Sequence, residues 1–307
     1  MKKIKDFQKK VNKNSIVLLC VIRDEELVLE AFISHYKNLL VSHFIFIDNG
    51  SEDHTLSIIN QNKLEINYQL WSADARYSEN LYGLSWVNFI LNSELKGKWC
   101  LVVDADEFLL LDGINNLREL RKDMKKSNSN ILSTCLIDFY PRNNAEPYKR
   151  GESPLSHSGY YDKFADFFVD RLEEKGDIEL FYGGLRRRIY GADKSPFLLS
   201  KKSFFKNIFY DSHYLAPGMH FFKPNQEGTK TASATRSSRQ DPVEFYFYQK
   251  TQLLAHFKYL RPNLPDYFKA RVKRNEDWNN SRSYKQYAEN NSASFFDRRV
   301  SSRFISI

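Results

Sequence analysis

The residues with the clearest chemical potential lie in the segment CLVVDADEFLLL (100–111), where three carboxylates interrupt an apolar run. Asp104, Asp106 and Glu107 occupy positions where a buried strand normally carries only apolar side chains. Like charges at this spacing repel one another, and their burial without partners is costly. A divalent cation would remove this cost, because hard cations bind carboxylate oxygens. The segment therefore predicts a divalent-cation site.

The two aspartates of this DxD pair suit different tasks. One can meet a ribose or a metal-bound water while the other binds the cation, and two phosphates of a nucleotide diphosphate can complete the oxygen shell of the ion. A helix N-cap or a cluster of turn residues is the alternative, since acidic pairs are common on protein surfaces. The flanking runs CLVV and FLLL favour the cation site.

The elements that must position these carboxylates form a regular series up to about residue 112. Apolar runs typical of buried strands alternate with segments of helical periodicity. The strands are expected at 15–22, 43–50, 65–73 and 99–111, and the helices at 26–40, 51–61 and 82–95. This alternation predicts an α/β fold with a mostly parallel, Rossmann-like sheet flanked by helices. Ligands bind beyond the carboxyl ends of such strands, so RDEE, DNGSED and DADE should converge on one site.

The pattern changes in the second half of the chain. A helix is expected over 114–127 and a further strand over 130–140. Turn-forming residues predict an exposed loop over 141–162, and a polar, low-complexity composition predicts a mobile loop over 225–242. We expect the segment from Tyr246 to be helical and to end in a basic, aromatic tail.

Composition limits the partners and the compartment. There are 46 basic and 38 acidic residues, giving a formal net charge of +8. This charge suits nucleotide phosphates, anionic polysaccharides, an anionic membrane surface or nucleic acid, and it also promotes solubility. Cys20, Cys100 and Cys135 are far apart and form no CxxC pair, which indicates buried thiols in a reducing compartment. No apolar stretch approaches the ~20 residues of a membrane span.

The N-terminal segment MKKIKDFQKKVNKNSIVLLCVI resembles a signal peptide in having a basic start before an apolar run. The apolar run is short, RDEE follows directly, and no small-residue cleavage site is present, so we expect a basic leader that enters the first strand. Ile4, Phe7 and Val11 have helical spacing among six lysines. They suit either a solvated helix end or contact with a membrane surface.

Three segments in order resemble the family-2-like glycosyltransferases of the GT-A fold, and in particular a bacterial branch with a DNGSxD-like turn and a DADEF motif. They are VIRDEELVLEAFISHYKNLLVSHFIFIDNGSEDHTL, GKWCLVVDADEFL and LLAHFKYLRP. The resemblance covers roughly 15–260 and is strongest over 15–110. It implies a nucleotide-sugar donor, an acceptor bound by the second half of the domain, and Mn²⁺ or Mg²⁺ bridging the DxD pair and the diphosphate.

The resemblance also implies roles for single residues. Asp104 would face the ribose or the metal, and Asp106 would be the main metal ligand. The other residues expected at the nucleotide are Arg23, Glu25, Asp48 and Arg76. For Asp48 and its neighbours Asn49, Ser51 and Asp53, the alternative is a capped turn, which is common in any βα unit.

Histidines and arginines supply further candidates. His256 matches a late HY or HF element from which related enzymes draw another metal ligand, and His220 is the competing residue. The segment GGLRRR (183–188) could hold phosphates or an anionic sugar, and Arg187 is the residue we expect at the nucleotide. We expect this segment to be a strand, so at most two of its three arginines would share a face. A solvated basic edge strand is the alternative.

The catalytic base is the role that spacing does not resolve. An inverting transfer needs a carboxylate or imidazole that takes the proton of the attacking hydroxyl. By position beyond the DxD pair, the candidates are Asp138, Asp193, Asp211 and His220.

Together these features predict a cytoplasmic, metal-dependent, inverting glycosyltransferase that uses a UDP-linked donor. The resemblance implies a capsule or lipopolysaccharide precursor, free or lipid-linked, as acceptor, and the charge suits a peripheral contact with the inner face of the plasma membrane. The expected organisation is a basic leader (1–14), a nucleotide-sugar-binding half (15–112), an acceptor-binding half (113–215) and a C-terminal helical and loop extension (216–307).

Two other classes of protein remain as alternatives. A nucleotidyltransferase uses similar sheets and acidic metal sites, but CVIRDEELVLEAF lacks the glycine-rich phosphate loop that such an enzyme needs near its first strand. A non-catalytic module that binds nucleic acid or glycan would suit the charge and the aromatic content. No RNP, zinc or helix-turn-helix signature supports nucleic acid as a partner.

Overall fold

A computed structural model describes residues 1–143, 146–163, 168–172, 178–190, 198–208, 212–224, 246–261, 263–274, 285 and 295–305. The strands are β1 (Lys2–Lys5), β2 (Ile16–Ile22), β3 (His43–Asp48), β4 (Tyr68–Ser72), β5 (Trp99–Val102), β6 (Glu107–Leu110), β7 (Ile131–Asp138), β8 (Tyr160–Asp162), β9 (Phe168–Leu172), β10 (Ile178–Tyr182), β11 (Ser200–Lys206), β12 (His213–Leu215), β13 (Phe222–Pro224), β14 (Gln252–His256) and β15 (Ser301–Arg303). The helices are α1 (Leu29–Asn38), α2 (Thr55–Gln61), α3 (Leu84–Ser93), α4 (Leu117–Lys126), α5 (Pro154–His157), α6 (Leu185–Tyr190) and α7 (Leu264–Arg274).

The central sheet has nine strands within the described residues, in the order β1-β4-β3-β2-β5-β11-β7-β14-β6. Strands β2 to β5 are parallel to their neighbours among themselves. Because β11 is antiparallel to both β5 and β7, and β14 is parallel to β7, six of the nine strands run in one direction. The predicted α/β class with a mostly parallel sheet is confirmed.

Helices cover both faces of this sheet, which explains why the central strand β2 is apolar throughout. All but one of the residues of β2 are buried. One face packs against α1, α2 and α4, with Phe32 and Leu120 fully buried there, and the other packs against α3 through Trp86 and Ile90. A strand covered on both faces needs apolar side chains at every position, because none of them meets water.

The DADE segment differs from its predicted place inside one strand. The expected strand over 99–111 is two strands, β5 and β6, with DADE beginning in the turn between them. Strand β6 pairs with β14 at the far edge of the sheet rather than continuing beside β2. The turn allows the aspartates to leave the core while the flanking apolar residues stay buried, which a continuous strand would not permit.

Two other segments also differ from prediction. The segment GGLRRR (183–188), expected to be a strand, instead leads into helix α6, because β10 ends at Tyr182 and Gly183 (φ 117°) and Gly184 (φ 78°) turn the chain. The segment from Tyr246, expected to be helical, first forms β14, which fills the gap between β7 and β6. Pairing on both sides outweighs the helical periodicity of this segment.

The N-terminal leader and the segment 141–162 contain regular structure that the sequence did not predict. Lys2–Lys5 form an edge strand on β4, and Phe7 and Val11 pack against the sheet, so the helical reading of Ile4, Phe7 and Val11 is wrong. The expected loop over 141–162 contains α5 and β8. The loop expected to be mobile, 225–242, lies outside the described residues. Among the described helices, none is long and apolar enough to cross a membrane.

A buried lysine in β11 gives a test of this core. Lys202 is 1% exposed, donates to Ser133 Oγ at 2.8 Å and lies 5.0 Å from the centroid of the Phe247 ring. Burial lowers its pKa from 10.5 to about 8, so between these two pH values the unfolded chain binds more protons than the folded one. The free energy of unfolding should therefore rise as pH increases from 8 to 10.5.

Lys202→Met removes this effect, and at pH 7 it should raise the free energy of unfolding by roughly 2 kcal/mol. The measurement is urea unfolding of both proteins at pH 7 and pH 10, where the advantage of the variant should shrink at the higher pH. Lys206→Met, at a partly exposed lysine of the same strand, is the control that should keep the wild-type pH dependence. A variant less stable than wild type at pH 7 would contradict the account.

Candidate active site

The turns after β2 and β3 are locked together by hydrogen bonds between their backbones and side chains. Each of four backbone N–H groups donates to a side-chain oxygen of the other turn. These bonds are Asp24 N to Ser51 Oγ (3.2 Å), Glu25 N to Thr55 Oγ1 (2.7 Å), Glu26 N to Asp53 Oδ2 (3.0 Å) and Glu52 N to Asp24 Oδ1 (2.9 Å). RDEE and DNGSED therefore form one rigid wall, and Ser51 and Asp53 act within it as turn residues.

Asp48 and Asn49 fix the adjoining loop ends. The Asp48 carboxylate accepts from the N–H groups of Gly50 and Ser51, both at 3.2 Å, and from Ser51 Oγ at 2.5 Å. Asn49 Nδ2 donates to the carbonyl oxygens of Ala73 (2.7 Å) and Ala75 (3.0 Å), which holds the loop after β4. The contact of Asp48 with a base or ribose stays a prediction, because its oxygens already bond to its own turn.

The DADE turn separates its carboxylates by exposure. The side chains of Asp104 and Asp106 are 50% and 29% exposed, whereas Glu107 is 1% exposed. Glu107 Oε2 accepts from Asp104 N at 3.2 Å, and Lys201 Nζ contacts Glu107 Oε1 and lies 3.6 Å from Asp104 Oδ2. A lysine from β11 therefore supplies the positive charge that this cluster requires.

A chain of charged side chains continues from Asp106 into the second half of the sheet. His256 Nε2 lies 3.2 Å from Asp106 Oδ2, and His256 Nδ1 lies 2.5 Å from Asp138 Oδ1. Arg186 Nη2 donates to the same Asp138 oxygen at 2.7 Å and lies 2.8 Å from His256 Nδ1. The register of β14 explains the chain, because it places His256 opposite Asp138 of β7 and Glu107 of β6.

These contacts lower the pKa values of Asp106 and Asp138 and raise the pKa of His256. Burial alone would raise the pKa of Asp138, but Arg186 and His256 hold it well below its usual value. Burial likewise opposes ionisation of Asp106, and His256 again brings its pKa down. Burial would lower the pKa of His256, yet the two aspartates raise it to about 9. These contacts therefore place a cationic imidazole between two carboxylates.

A further ion pair attaches the segment after β14 to the wall formed by RDEE and DNGSED. Arg261 Nη2 donates to Glu25 Oε2 at 2.8 Å, and Arg261 Nη1 donates to the carbonyl oxygen of Asp24 at 3.1 Å. The Phe257 N–H also donates to the Asp106 carbonyl at 2.8 Å. Burial raises the pKa of Glu25 to about 7, although Arg261 opposes the shift. The structure thus brings RDEE, DNGSED, DADE and the HFKYLR segment to one edge of the sheet.

The donor set can be tested against the predicted divalent cation. Among the described residues, no group of three or more His, Cys, Asp or Glu side chains is arranged to hold a metal ion. Asp104 and Asp106 have partly exposed carboxylates, whereas both ring nitrogens of His256 are engaged by aspartates, one of which is Asp106. Mg²⁺ and similar ions are commonly held by one or two carboxylates together with waters and substrate phosphates. The two aspartates fit such an ion, and the ligation by His256 stays a prediction.

The remaining candidates lie at different places. Arg23 follows β2, with its Nε 4.0 Å from Asp24 Oδ2, and exposed Arg76 pairs with Glu79 at 3.5 Å. Arg187 lies in helix α6, whose Arg186 donates to Asp138 and whose Arg188 donates to Asp162. Asp193 and Asp211 lie outside the described residues.

His220 has a defined orientation. Its Nδ1 lies 2.6 Å from the carbonyl oxygen of Ser200, the residue before Lys201, so Nδ1 carries the hydrogen and Nε2 has the free electron pair. Burial lowers its pKa to about 4, which keeps the ring neutral. Gly218 (φ +78°) lies against the imidazole, because a Cβ at position 218 would be 2.6 Å from His220 Nε2 and Cδ2.

Sequence reasoning missed three cationic side chains that pair with the acidic residues of the site: Lys201, Arg186 and Arg261. A signal existed for two of them. The apolar context of SKKSFFK indicates buried lysines, and Arg261 belongs to the matched segment LLAHFKYLRP. Nothing in the sequence distinguishes Arg186 from its two arginine neighbours.

Comparison with solved structures gives distant similarities. S. aureus TarS aligns at 12% identity with a TM-score of 0.39, covering 90% of this chain and 42% of that chain. HddC from Yersinia pseudotuberculosis aligns at 11% identity with a TM-score of 0.38, covering 84% and 98%. Glucosyl-3-phosphoglycerate synthase from Mycobacterium tuberculosis, in complex with Mn²⁺, UDP and glucosyl-3-phosphoglycerate, aligns at 16% identity with a TM-score of 0.24, covering 41% and 44%.

This chain therefore spans less than half the length of the TarS chain. No protein-family model matches the chain, and no curated protein matches it significantly. At these identities and TM-scores the solved structures assign neither a family nor a reaction to the chain, so the functional argument rests on its own residues.

Proposed function

We propose that the protein is a metal-dependent glycosyltransferase that moves a sugar from a UDP-linked donor to a hydroxyl of a bacterial surface-glycan precursor, with inversion at the anomeric carbon. The observation that carries the proposal is the position of Asp104 and Asp106. Both carboxylates are partly exposed at the edge of the sheet where the strand ends RDEE, DNGSED and DADE meet. Ligands of open α/β sheets bind at this edge.

In the proposed reaction, the acceptor oxygen forms a bond to the anomeric carbon as the bond from that carbon to the β-phosphate oxygen breaks. The electron pair leaves with UDP, and the hydroxyl proton passes to a base on the protein. A bound Mn²⁺ or Mg²⁺, held by Asp104 and Asp106, would neutralise charge that develops on the leaving diphosphate. The wall formed by RDEE and DNGSED, which includes Asp48, would orient the nucleotide. The second half of the domain would hold the acceptor.

The choice of UDP and of a capsule or lipopolysaccharide precursor follows from the resemblance of the three sequence segments. The formal charge of +8 suits an anionic acceptor or the inner face of the membrane, where we propose that the enzyme acts.

The test is thermal stabilisation by a panel of UDP-, GDP- and dTDP-sugars, each with and without Mn²⁺. We expect one UDP-sugar to raise the melting temperature only when Mn²⁺ is present, because a ligand that binds the folded state alone stabilises it. Product analysis with that donor then reports sugar transfer or hydrolysis. Stabilisation by a nucleoside triphosphate, with release of pyrophosphate in the presence of a sugar 1-phosphate, would instead indicate a nucleotidyltransferase.

Among the described candidates, His220 suits the role of base better than Asp138 does. The Asp138 side chain is 3% exposed and already paired with Arg186 and His256. The His220 ring is neutral, and its Ser200 contact leaves Nε2 able to accept a proton. Ser200, which accepts from the imidazole, adjoins Lys201, which contacts the DADE turn, so His220 is attached to the strand that reaches the proposed site.

Gly218→Ala tests this role without removing the imidazole. The new methyl group would overlap the ring and displace it, so kcat should fall by about 10- to 100-fold, with a smaller change in KM for the donor. The control is Gly113→Ala, because Gly113 has a similar φ of +67° and nothing within 4 Å of an added Cβ. Both variants share the backbone cost of a positive φ. Equal kcat values in the two variants would remove His220 from the reaction.

A further inference from the structure

Lys201 of β11 places a buried ammonium group against the DADE turn. Strand β11 is antiparallel to β5, with Phe204 opposite Leu101, so the residues before Phe204 lie beside the chain that leads into DADE. The Lys201 side chain is 7% exposed. Its Nζ contacts Glu107 Oε1 and lies 3.6 Å from Asp104 Oδ2. An ammonium group therefore already lies against a carboxylate proposed to bind the divalent ion.

We propose that Lys201 is a built-in counter-ion of the DADE turn that weakens divalent-cation binding until a diphosphate is present. The inference rests on the proposed function and specifies how binding at that site is regulated. Lys201 is a positioning residue in this account, since it acts through Asp104 and Glu107.

The charges around the turn support this order of binding. A divalent ion at Asp104 would lie close to a fixed ammonium group, and the two like charges would repel each other. A nucleotide diphosphate brings negative charge that offsets the repulsion, so ion and nucleotide should bind more tightly together than either does alone.

The ammonium group cannot easily move away. Glu107 is 1% exposed and would be an unpaired buried charge without Lys201. The turn that carries Glu107 is itself fixed, because Glu107 N donates to the Asp104 carbonyl at 3.0 Å and Tyr36 Oη donates to the Glu107 carbonyl at 2.7 Å. The repulsion is therefore a property of the folded site rather than of one side-chain rotamer.

The experiment measures Mn²⁺ binding without nucleotide, from the electron paramagnetic resonance signal of free Mn²⁺. Lys201→Met should bind Mn²⁺ about 10-fold or more tightly than wild type, since a tenfold change needs only ~1.4 kcal/mol of relieved repulsion. Lys201→Arg keeps the charge and should remain close to wild type. Glu107→Gln frees the ammonium group to pair with Asp104 and should weaken Mn²⁺ binding.

We therefore expect Mn²⁺ affinity to rise in Lys201→Met and to fall in Glu107→Gln. The double variant Lys201→Met/Glu107→Gln removes the pair together, leaves no unpaired buried charge, and should still bind Mn²⁺ more tightly than wild type. If Lys201→Met does not fold, as judged by circular dichroism, the double variant and Glu107→Gln decide the question. Wild-type Mn²⁺ affinity in folded Lys201→Met, or in both the double variant and Glu107→Gln, would overturn the proposal.

This measurement stands apart from the test of the proposed function. The Mn²⁺ affinities are compared without donor, whereas the function is tested by stabilisation of the wild-type protein by nucleotide-sugars. Wild type that binds no nucleotide-sugar, together with the expected Mn²⁺ shifts, would overturn the transferase and retain the counter-ion. Donor binding by wild type, together with unchanged Mn²⁺ affinities in the variants, would retain the transferase and overturn the counter-ion.

Discussion

Asp106→Asn should reduce sugar transfer by about 10²- to 10³-fold, because Asp106 is the proposed main metal ligand and its loss would remove several kcal/mol of transition-state stabilisation. It should also remove the coupling between Mn²⁺ and UDP, so that calorimetry detects no increase in UDP affinity when Mn²⁺ is added. The fold should survive the change. The asparagine side-chain oxygen can still accept a hydrogen bond from His256, which lies 3.2 Å from the carboxylate.

The matched control is Asp112→Asn, the same substitution at an exposed acid beyond β6. It should keep wild-type turnover and wild-type coupling, because Asp112 lies outside the cluster of Asp104, Asp106 and Glu107. Circular dichroism of both variants separates a catalytic loss from a folding loss. UDP binding to wild type that is independent of Mn²⁺, or normal turnover in Asp106→Asn, would contradict the metal-site assignment.

The first half of the fold could be predicted because its signals are local. Continuous apolar runs such as 15–22 and 43–50 become β2 and β3, and their acidic ends meet at one edge as expected. Strand β14 was missed because its order comes from pairing with β7 and β6, which are distant in sequence. A segment with ambiguous periodicity adopts the structure that its neighbours impose.

The charge balance of the site shows the same limit. Three carboxylates in an apolar run predicted a divalent cation as the source of the compensating positive charge. The structure supplies Lys201 from β11 and His256 from β14, each of which lies more than 90 residues away along the chain. Neither partner can be identified without knowing which strands are adjacent.

Asp138→Asn should lower the free energy of unfolding by about 3–5 kcal/mol, the usual cost of breaking a buried ion pair from one side. Asp138 lies between Arg186 and His256, whose nearest nitrogens are 2.8 Å apart. Without the carboxylate these two cationic groups face each other in a buried site. Urea unfolding at pH 7 measures the loss, and Glu65→Gln, which breaks the exposed pair with Lys37, is the control and should cost at most about 1 kcal/mol.

The pH dependence identifies the charge of Asp138 as the cause. Its pKa is lower in the folded protein than in the unfolded chain, because Arg186 and His256 favour the carboxylate. The stabilisation is therefore fully present above the unfolded pKa, and it is lost as pH falls through the folded pKa. The difference in stability between wild type and Asp138→Asn should therefore be smaller at pH 3 than at pH 5. A difference that is the same at pH 3 and pH 5 would show that Asp138 stabilises the fold by packing rather than by its charge.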